Sequence, residues 1–352
     1  MMRAAAIWGL ASGVGGSRVG RRRVIGRSVP RLALAVASGV AADRRFGEPP
    51  LVVHPVAHFG RAMSAVEARL YRDARSVGVV HASVGVLGAA AVGWGLQRAL
   101  GRGAATAVAT AAVVAGRMLG AEATAIGDLL VTGALDDARE RLPSLVGRSP
   151  SGLTATEISR AVVESVAENA IDAVLAPVFW AMIGGAPAAC AHRAVNTLDA
   201  MVGHRSPRYR RFGWASARAD DVANWVPARL GAVCVAMVRP ARAGRVLATV
   251  RRDAHQHPSP NGGVIESAFA AALDIRLGGA NRYGDTVEQR GVLGDGRPAE
   301  PGDIARAVVL LRRVTWASVA MAAVAETVVR LVRVRAVRVR AVRVRGVSSW
   351  RR

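Results

Sequence analysis

A row of carboxylates leads directly into an apolar run in the stretch Val163-Glu-Ser-Val-Ala-Glu-Asn-Ala-Ile-Asp-Ala-Val-Leu-Ala-Pro-Val-Phe-Trp180. At about 100° per residue, Glu164, Glu168 and Asp172 fall along one face of a helix. The nineteen residues from 173 to 191 then carry no formal charge. An exposed face of an ordinary helix is the alternative interpretation, but solvated faces rarely adjoin such a run. The pattern therefore predicts a partly buried, functional row of acids.

Two further polar pairs follow along the chain. Asn196 and Asp199 are three residues apart, and Asp220 and Asn224 are four apart, so each pair can share a helix face. Like charges at such spacing repel, unless a cation, usually Mg²⁺, or a cationic substrate group lies between them. We therefore expect three rows to converge on one pocket. The expected catalytic residues are Glu164, Glu168, Asp172, Asp199, Asp220 and Asp221, and the expected magnesium ligands among them are Asp172, Asp199, Asp220 and Asp221.

The composition is typical of closely packed membrane helices. Hydrophobic residues make up 51% of the 352 residues, yet aromatic residues only 4%. Residues 76–97 form a run without Asp, Glu or Arg, and this run is long enough for a transmembrane span. The Gly101-Arg-Gly103 turn and a second apolar run ending near Arg117 predict an antiparallel helical hairpin. Cys190 and Cys234 lie in apolar surroundings, which favours reduced, buried thiols.

The net charge of +23 comes largely from the two ends of the chain. Residues 1–31 hold seven Arg and no acid, and residues 333–352 hold eight Arg and no acid, so +8 remains for the middle. No aromatic-interleaved or base-reading motif accompanies the charge, which argues against a nucleic-acid partner. Lysine is absent, which excludes a Walker A loop. Arg residues in loops beside apolar segments are typical of cytoplasmic loops.

These patterns predict a mainly α fold: a polytopic helical membrane protein with Gly/Pro-rich cytoplasmic loops. We expect a basic, disordered extension at 1–30, a single helical membrane domain at 31–332, and a low-complexity Arg-Val tail at 333–352. The tail repeats with a period of five, which matches neither a helix nor a strand. Its charge would allow contact with anionic lipid.

Three segments rich in Gly or Pro are predicted to form loops. Gly47-Glu-Pro-Pro50 and His54-Pro-Val56 predict a rigid loop before an amphipathic helix over 61–75, with His54 either structural or lining the site. His257-Pro-Ser-Pro-Asn-Gly-Gly263 predicts a glycine-rich loop that feeds a helix, which is either a plain turn or a phosphate site. The glycine-rich segment 278–284 is predicted to be a loop.

Three runs in this order resemble one family of proteins: Val163 to Asp172, Ala194-Val-Asn-Thr-Leu-Asp199, and Phe212 to Arg229. They closely resemble the CobD/CbiB family of cobalamin biosynthesis, the adenosylcobinamide-phosphate synthases. Two positions depart from the family pattern: Glu48 stands where the family has Asp, and the loop at 147–151 lacks the family's Asp-Thr pair.

The resemblance implies an ATP-dependent enzyme of the cell membrane, multi-pass, with its active site facing the cytoplasm. Its implied reaction attaches aminopropanol, or aminopropanol phosphate, to a propionate side chain of adenosylcobyric acid through an amide bond. The implied partners are the corrinoid, the amino alcohol, membrane lipid and other late cobalamin-pathway membrane enzymes, with Mg²⁺ as cofactor and ATP as co-substrate. The implied substrate-binding residues are His54, Asn169, Asn196, Arg218, Asn224, Arg229, Ser259, Asn261, Gly262 and Gly263.

Two other classes of protein share some of these features. Acidic residues that lead into membrane helices rich in Gly and Ala also mark ion pathways, so a secondary transporter or channel is one alternative. Another is a different Mg²⁺-dependent membrane transferase that acts on diphosphate substrates and uses the same Asn-x-x-Asp chemistry.

The arginine distribution predicts the topology. The segments 61–75, 205–218 and 239–252 should all face the cytoplasm, because each Arg at mid-bilayer costs roughly 2.5 to 3.5 kcal/mol on insertion scales. Single cysteines introduced into each segment should react with membrane-impermeant reagents only after the membrane is opened. Labelling of 205–218 from outside intact cells would contradict this topology and would separate the site from ATP.

Overall fold

The computed structural model describes residues 31–348 except 51, 148–149, 205 and 284–285. Expectations for the extension at 1–30 and for loop positions 148 and 149 lie outside the described residues. Four helical segments are long and apolar enough to cross a bilayer: Arg75–Val131, Ala155–Gly184, Trp214–Val238 and Pro301–Arg333. The predicted fold class, a mainly α polytopic membrane protein, is confirmed.

Helices account for most of the described chain. The α-helices are α1 (Arg31–Phe46), α2 (Pro55–Leu70), α3 (Arg75–Val113), α4 (Gly116–Val131), α5 (Leu135–Arg141), α6 (Ala155–Ala170), α7 (Ala176–Gly184), α8 (Ala186–Leu198), α9 (Tyr209–Phe212), α10 (Trp214–Val238), α11 (Ala243–Asp253), α12 (Gly262–Leu273) and α13 (Pro301–Ser348). Short 3₁₀ turns lie at Leu142–Ser144, Pro240–Arg242 and Ala254–Gln256, and π-helical turns at Ile171–Leu175 and Asp199–Gly203. The strands are β1 (Ile275–Tyr283), β2 (Thr286–Leu293) and β3 (Arg297–Pro298).

α3 folds back on itself at Gly101. The φ angle there is 75°, in the left-handed region that favours glycine. Gln97 and Thr106, on opposite sides of this turn, both lie against Gly185. The two arms of α3 are therefore antiparallel, which confirms the predicted hairpin.

Small residues let α3 approach α8 and the segment that follows it. Gly85 faces Leu198, and Gly93 faces the backbone of Ala186. Gly78 is tighter still, since a Cβ atom added there would lie 1.8 Å from the carbonyl oxygen of Phe212. Close helix packing through small residues is the usual way in which membrane helices associate. It holds α8, which carries Asn196, against the rest of the bundle.

The acidic row begins on a well-capped helix. Thr154 and Glu157 form a capping box at the start of α6, in which each side chain satisfies the other's backbone N–H. After Ala170 the helix widens into the π-helical turn that carries Asp172, and α7 then continues the same path. Such turns often occur at functional sites, because they redirect a side chain within a continuous helix.

A small sheet replaces the loop predicted at 278–284. β1 pairs antiparallel with β2, and its first residues pair in parallel with β3. The register shifts between Gly278 and Gly279, whose φ angles are 78° and 86°. The loop prediction was wrong because these glycines form a bulge within a strand, which interrupts the alternation by which strands are recognised.

Two helix boundaries also differ from expectation. α2 begins at Pro55 and not near 61, because proline suits the first position of a helix, where its missing N–H has no partner to lose. α13 continues into the Arg-Val repeats as far as Ser348, although their period of five matches no helical repeat. The described part of α1 spans 16 residues, fewer than the roughly 20 that a bilayer crossing needs.

Replacing Gly78 by Ala should destabilise the protein by roughly 1–3 kcal/mol, because the added methyl group meets backbone that cannot move aside. Gly88→Ala on the same helix is the matched control, since no heavy atom lies within 4 Å of the added Cβ. The control should be neutral or gain up to about 1 kcal/mol from helix propensity. Thermal unfolding in detergent measures both variants. Equal melting temperatures for the two would contradict this packing.

Candidate active site

One carboxamide joins the first and third polar rows. The Nδ2 atom of Asn224 donates to Oδ1 of Asp172 and to Oδ2 of Asp220, each at 2.9 Å. Asn224 is only 1% exposed. The prediction that these rows converge is correct for these three residues.

A histidine that the sequence analysis did not single out fixes this amide. Nε2 of His192 lies 2.8 Å from Oδ1 of Asn224. Because Nδ2 of Asn224 donates to two carboxylates, its Oδ1 must accept, so Nε2 of His192 carries the proton. His192 is 3% exposed, and its position directly after the uncharged run was the available signal.

The second polar row also reaches the cluster. Asn196 lies within hydrogen-bonding reach of both Asp172 and Asp220. Asp199 lies at the start of the π-helical turn after α8. Burial, followed by the charges of Asp221 and Glu168, raises the pKa of Asp199 to about 6. The carboxyl group of Asp199 is therefore protonated more readily than that of an ordinary aspartate.

Asp221 is tied to the glycine-rich loop. Its backbone oxygen accepts from Nδ2 of Asn261 at 2.8 Å, and its carboxylate pairs with Arg218 at 3.2 Å. Oδ1 of Asn261 accepts from Arg229, whose guanidinium stacks on Trp225 at 4.5 Å. These residues connect the loop at 257–263 to α10 at the edge of the carboxylate cluster.

The loop itself is already hydrogen-bonded. The Oγ atom of Ser259 accepts from the backbone N–H groups of Asn261 and Gly262, at 3.3 and 3.1 Å. Gly263 packs against the carbonyl oxygen of Ala254, where a Cβ would lie 2.2 Å away. The loop does lead into α12 as predicted. The glycines serve close packing, and the geometry gives the predicted phosphate site no free N–H groups at Asn261 or Gly262.

A second acidic group lies next to this loop. Oε1 of Glu266, in α12, is 3.3 Å from Nε2 of His257, and both side chains are almost fully buried. Burial, followed by the Glu164 carboxylate, raises the pKa of Glu266 to about 7 although His257 opposes it. Burial lowers the pKa of His257, but the Glu266 carboxylate raises it above its ordinary value overall. Both groups therefore hold a proton more readily than they would in water.

The remaining predicted residues have different environments. Glu168 is exposed beside Gly262 and within electrostatic range of Asp199. Glu164 is buried and accepts from the backbone N–H of Gly278 at 2.7 Å, which ties α6 to the sheet. Asn169 donates to the carbonyl oxygen of Ser165 at 2.9 Å and borders a neighbouring cavity.

His54 caps α2 instead of joining the cluster. Its Nδ1 atom accepts from the backbone N–H of Val56 at 3.2 Å, and its Nε2 atom lies 3.0 Å from Glu48. Both ring nitrogens therefore have local partners. No hydrogen bond in the described structure joins His54 to the carboxylate cluster.

The cluster suits Mg²⁺ in its chemistry, and only partly in its arrangement. Carboxylate and amide oxygens are the ligands that Mg²⁺ prefers, and the ion is usually held by one or two carboxylates together with water and substrate phosphates. Asp172 and Asp220, which share Asn224, provide such a pair. Among the described residues, no group of three or more His, Cys, Asp or Glu side chains converges as a metal site. The four-ligand set stays a prediction.

Membrane-length helices that enclose a cluster of carboxylates and carboxamides define the class: a polytopic membrane protein with a polar site between its helices. The family model of the CobD/Cbib proteins matches residues 36–311. The chain therefore belongs to the CobD/CbiB family, which confirms the resemblance of the three runs.

The chain is similar along most of its length to several bacterial proteins named "Cobalamin biosynthesis protein CobD". It is 49% identical over 293 residues to that of Mycobacterium tuberculosis H37Rv, which covers 80% of this chain and 92% of that protein. It is 40% identical over 284 residues to that of Geobacter metallireducens, which covers 76% of this chain and 87% of that protein. No solved structure matches the chain.

Replacing Glu266 by Gln should flatten the pH dependence of stability near neutrality. The raised pKa values of Glu266 and His257 mean that the folded state binds more protons than the unfolded state between about pH 5 and about pH 7. The wild-type protein should therefore lose stability as the pH rises through this range. Melting temperatures at several pH values measure the slope. Glu140→Gln, at an exposed position, should keep the wild-type slope, and a wild-type slope in Glu266→Gln would refute the assignment.

Proposed function

We propose that this protein acts in cobalamin biosynthesis as an ATP-dependent, amide-forming ligase of the adenosylcobinamide-phosphate synthase type. Its substrates would be adenosylcobyric acid and aminopropanol or aminopropanol phosphate. Membership of the CobD/CbiB family supports the pathway and a corrinoid substrate. The observation that best supports the chemistry is the Asp172–Asn224–Asp220 arrangement, which places two carboxylates around one buried amide.

Amide formation from a carboxylic acid requires activation. In the proposed reaction, an oxygen of the corrinoid propionate attacks the γ-phosphorus of ATP and releases ADP. The amine nitrogen then attacks the acyl carbon, phosphate leaves, and the nitrogen loses a proton to a base. Glu168 suits that role because its carboxylate is exposed at the cluster and has no hydrogen-bond partner among the described residues.

The carboxylates would position the phosphoryl group through a bound cation. Mg²⁺, held by Asp172 and Asp220 with Asp199 and Asp221 nearby, would supply charge neutralisation to the transferring phosphoryl group. The chain's own contribution is to hold these acids at fixed positions. Asn224 orients two of them, and Asn196 reaches the same two from α8.

We place the enzyme in the cell membrane with its site facing the cytoplasm, where ATP and the corrinoid are available. Membrane lipid would surround the four membrane-length segments, and the proposed partners include other late-pathway membrane enzymes. Purified protein in detergent, supplied with adenosylcobyric acid, aminopropanol phosphate and Mg-ATP, should form an amide-linked corrinoid detectable by mass spectrometry. A transporter or a diphosphate-dependent transferase would form no such product.

Replacing Asp172 by Asn should lower turnover by orders of magnitude with folding nearly intact. The amide keeps an acceptor oxygen for Asn224 but removes the charge that holds the cation. Asp221→Asn should behave similarly, and added Mg²⁺ should partly rescue both by mass action. Asp136→Asn is the control, because the Asp136 side chain is 91% exposed. If both variants turned over at near wild-type rates at limiting Mg²⁺, the metal-site interpretation would be wrong. The acids would then serve helix packing or corrinoid binding.

A further inference from the structure

Arg193 lies within the site region, and the proposed reaction leaves it unused. It lies on α8, one turn before Asn196, and its Nη1 atom donates to Oδ1 of that residue at 3.5 Å. Its Nε atom is fully buried and has no hydrogen-bond partner among the described residues. A buried guanidinium nitrogen is unfavourable unless an acceptor or an anion pairs with it. The arrangement therefore indicates a missing anionic partner.

The nearby carboxylates already have other partners. Glu48 and Asp172 are the acids that act electrostatically on Arg193, but neither lies within ion-pair distance of it. Glu48 contacts His54 at 3.0 Å, and Asp172 accepts from Asn224 at 2.9 Å. Arg193 therefore lies close to the carboxylate cluster without being neutralised by it.

A polar cavity of about 270 Å³ opens beside Arg193. Its wall includes Asn169 and Ser144, and Met118 from the first turn of α4, where the helix dipole favours negative charge. Glu122 also lines the cavity, but it accepts two hydrogen bonds from Arg141 at 2.8 Å each and is thereby neutralised. Of the two charged residues in the cavity wall, Glu122 is paired with Arg141 and Arg193 is not in an ion pair with a described residue.

We propose that this cavity binds an anionic oxygen group of a substrate, with Arg193 as the residue that contacts it. Such a group is a phosphate ester or a carboxylate, both of which match the planar fork of a guanidinium. Arg193 also borders a mostly apolar cavity of about 330 Å³, where the polar side chains of His58 and Thr197 are already hydrogen-bonded to the carbonyl oxygens of Val52 and Arg193. The size of the polar cavity suits a small molecule or a single side arm of a larger one.

The inference rests on the proposed function for the identity of the ligand. Two substrates carry the required chemistry: the amino alcohol when it is phosphorylated, and the corrinoid through its free propionate. In either case the anion would lie near Asp172, because the charges of Asp172 and Arg193 interact. Arg193 would thereby hold the substrate next to the carboxylates that act on it.

Binding measurements on the full-length protein in detergent test the proposal without turnover. Isothermal titration would compare phosphorylated with unphosphorylated amino alcohol, and the corrinoid with its propionate free or converted to propionamide. Arg193→Gln should weaken binding of one anionic ligand by at least about tenfold and leave its neutral counterpart unchanged. The affinity of Arg193→Lys for that anionic ligand should lie between those of wild type and Arg193→Gln, because lysine keeps the charge but lacks the planar guanidinium fork. The exposed Arg251→Gln should match wild type.

A stability measurement separates binding from a structural role. Without ligand, Arg193→Gln should melt at the wild-type temperature or higher, because it removes a half-buried charge that has no ion-pair partner among the described residues. Wild-type affinity of Arg193→Gln for both anionic ligands, or an equal loss for charged and neutral forms, would overturn the proposal. Charge-selective binding by a protein that forms no amide would support the cavity and reject the proposed function. Amide formation by the wild-type protein, together with unchanged ligand binding in Arg193→Gln, would support the proposed function and reject the cavity as the anion site.

Discussion

The amide of Asn224 is the contact on which the arrangement of the site depends. Through Nδ2 it holds the carboxylates of Asp172 and Asp220, and through Oδ1 it accepts from His192. One side chain thus connects α10, the π-helical turn after α6, and α8. Two carboxylates so close together, with little water around them, would repel each other without shared donors. The hydrogen-bonded amide makes their proximity possible, and it fixes both oxygens in direction.

This polar centre can form only because apolar helix packing brings α8 close. The hairpin of α3 presents Gly85 to the side chain of Leu198 and Gly93 to the backbone of Ala186, so α3 and α8 approach each other closely. α8 and the turn after it then supply His192, Arg193, Asn196 and Asp199 to the site. A larger residue at Gly93 would meet the backbone of Ala186 at the start of α8. The membrane-type packing and the polar site are therefore parts of one arrangement.

The parts of the fold that follow local rules could be predicted from the sequence. The capping box at Thr154 and the α3 hairpin depend on residues close in the chain, and so does the acidic row that ends at Asp172. The roles of His192 and Glu266 could not be predicted, because each depends on burial against a distant segment. Sequence spacing showed which carboxylates share a helix face, but not that Glu164 would bond to the sheet and Glu168 remain exposed.

The site contains negative and positive groups that each lack a counter-ion among the described residues. On one side, carboxylates are held close together with only neutral donors between them, and this arrangement is short of a cation. On the other side, Arg193 has a buried nitrogen that is short of an anion. The carboxylates and Arg193 do not neutralise each other, because Asp172 and Arg193 are not within ion-pair distance. A ligand that carries both a divalent cation and an oxyanion would satisfy both sides at once, which is the charge pattern of a metal-bound phosphate.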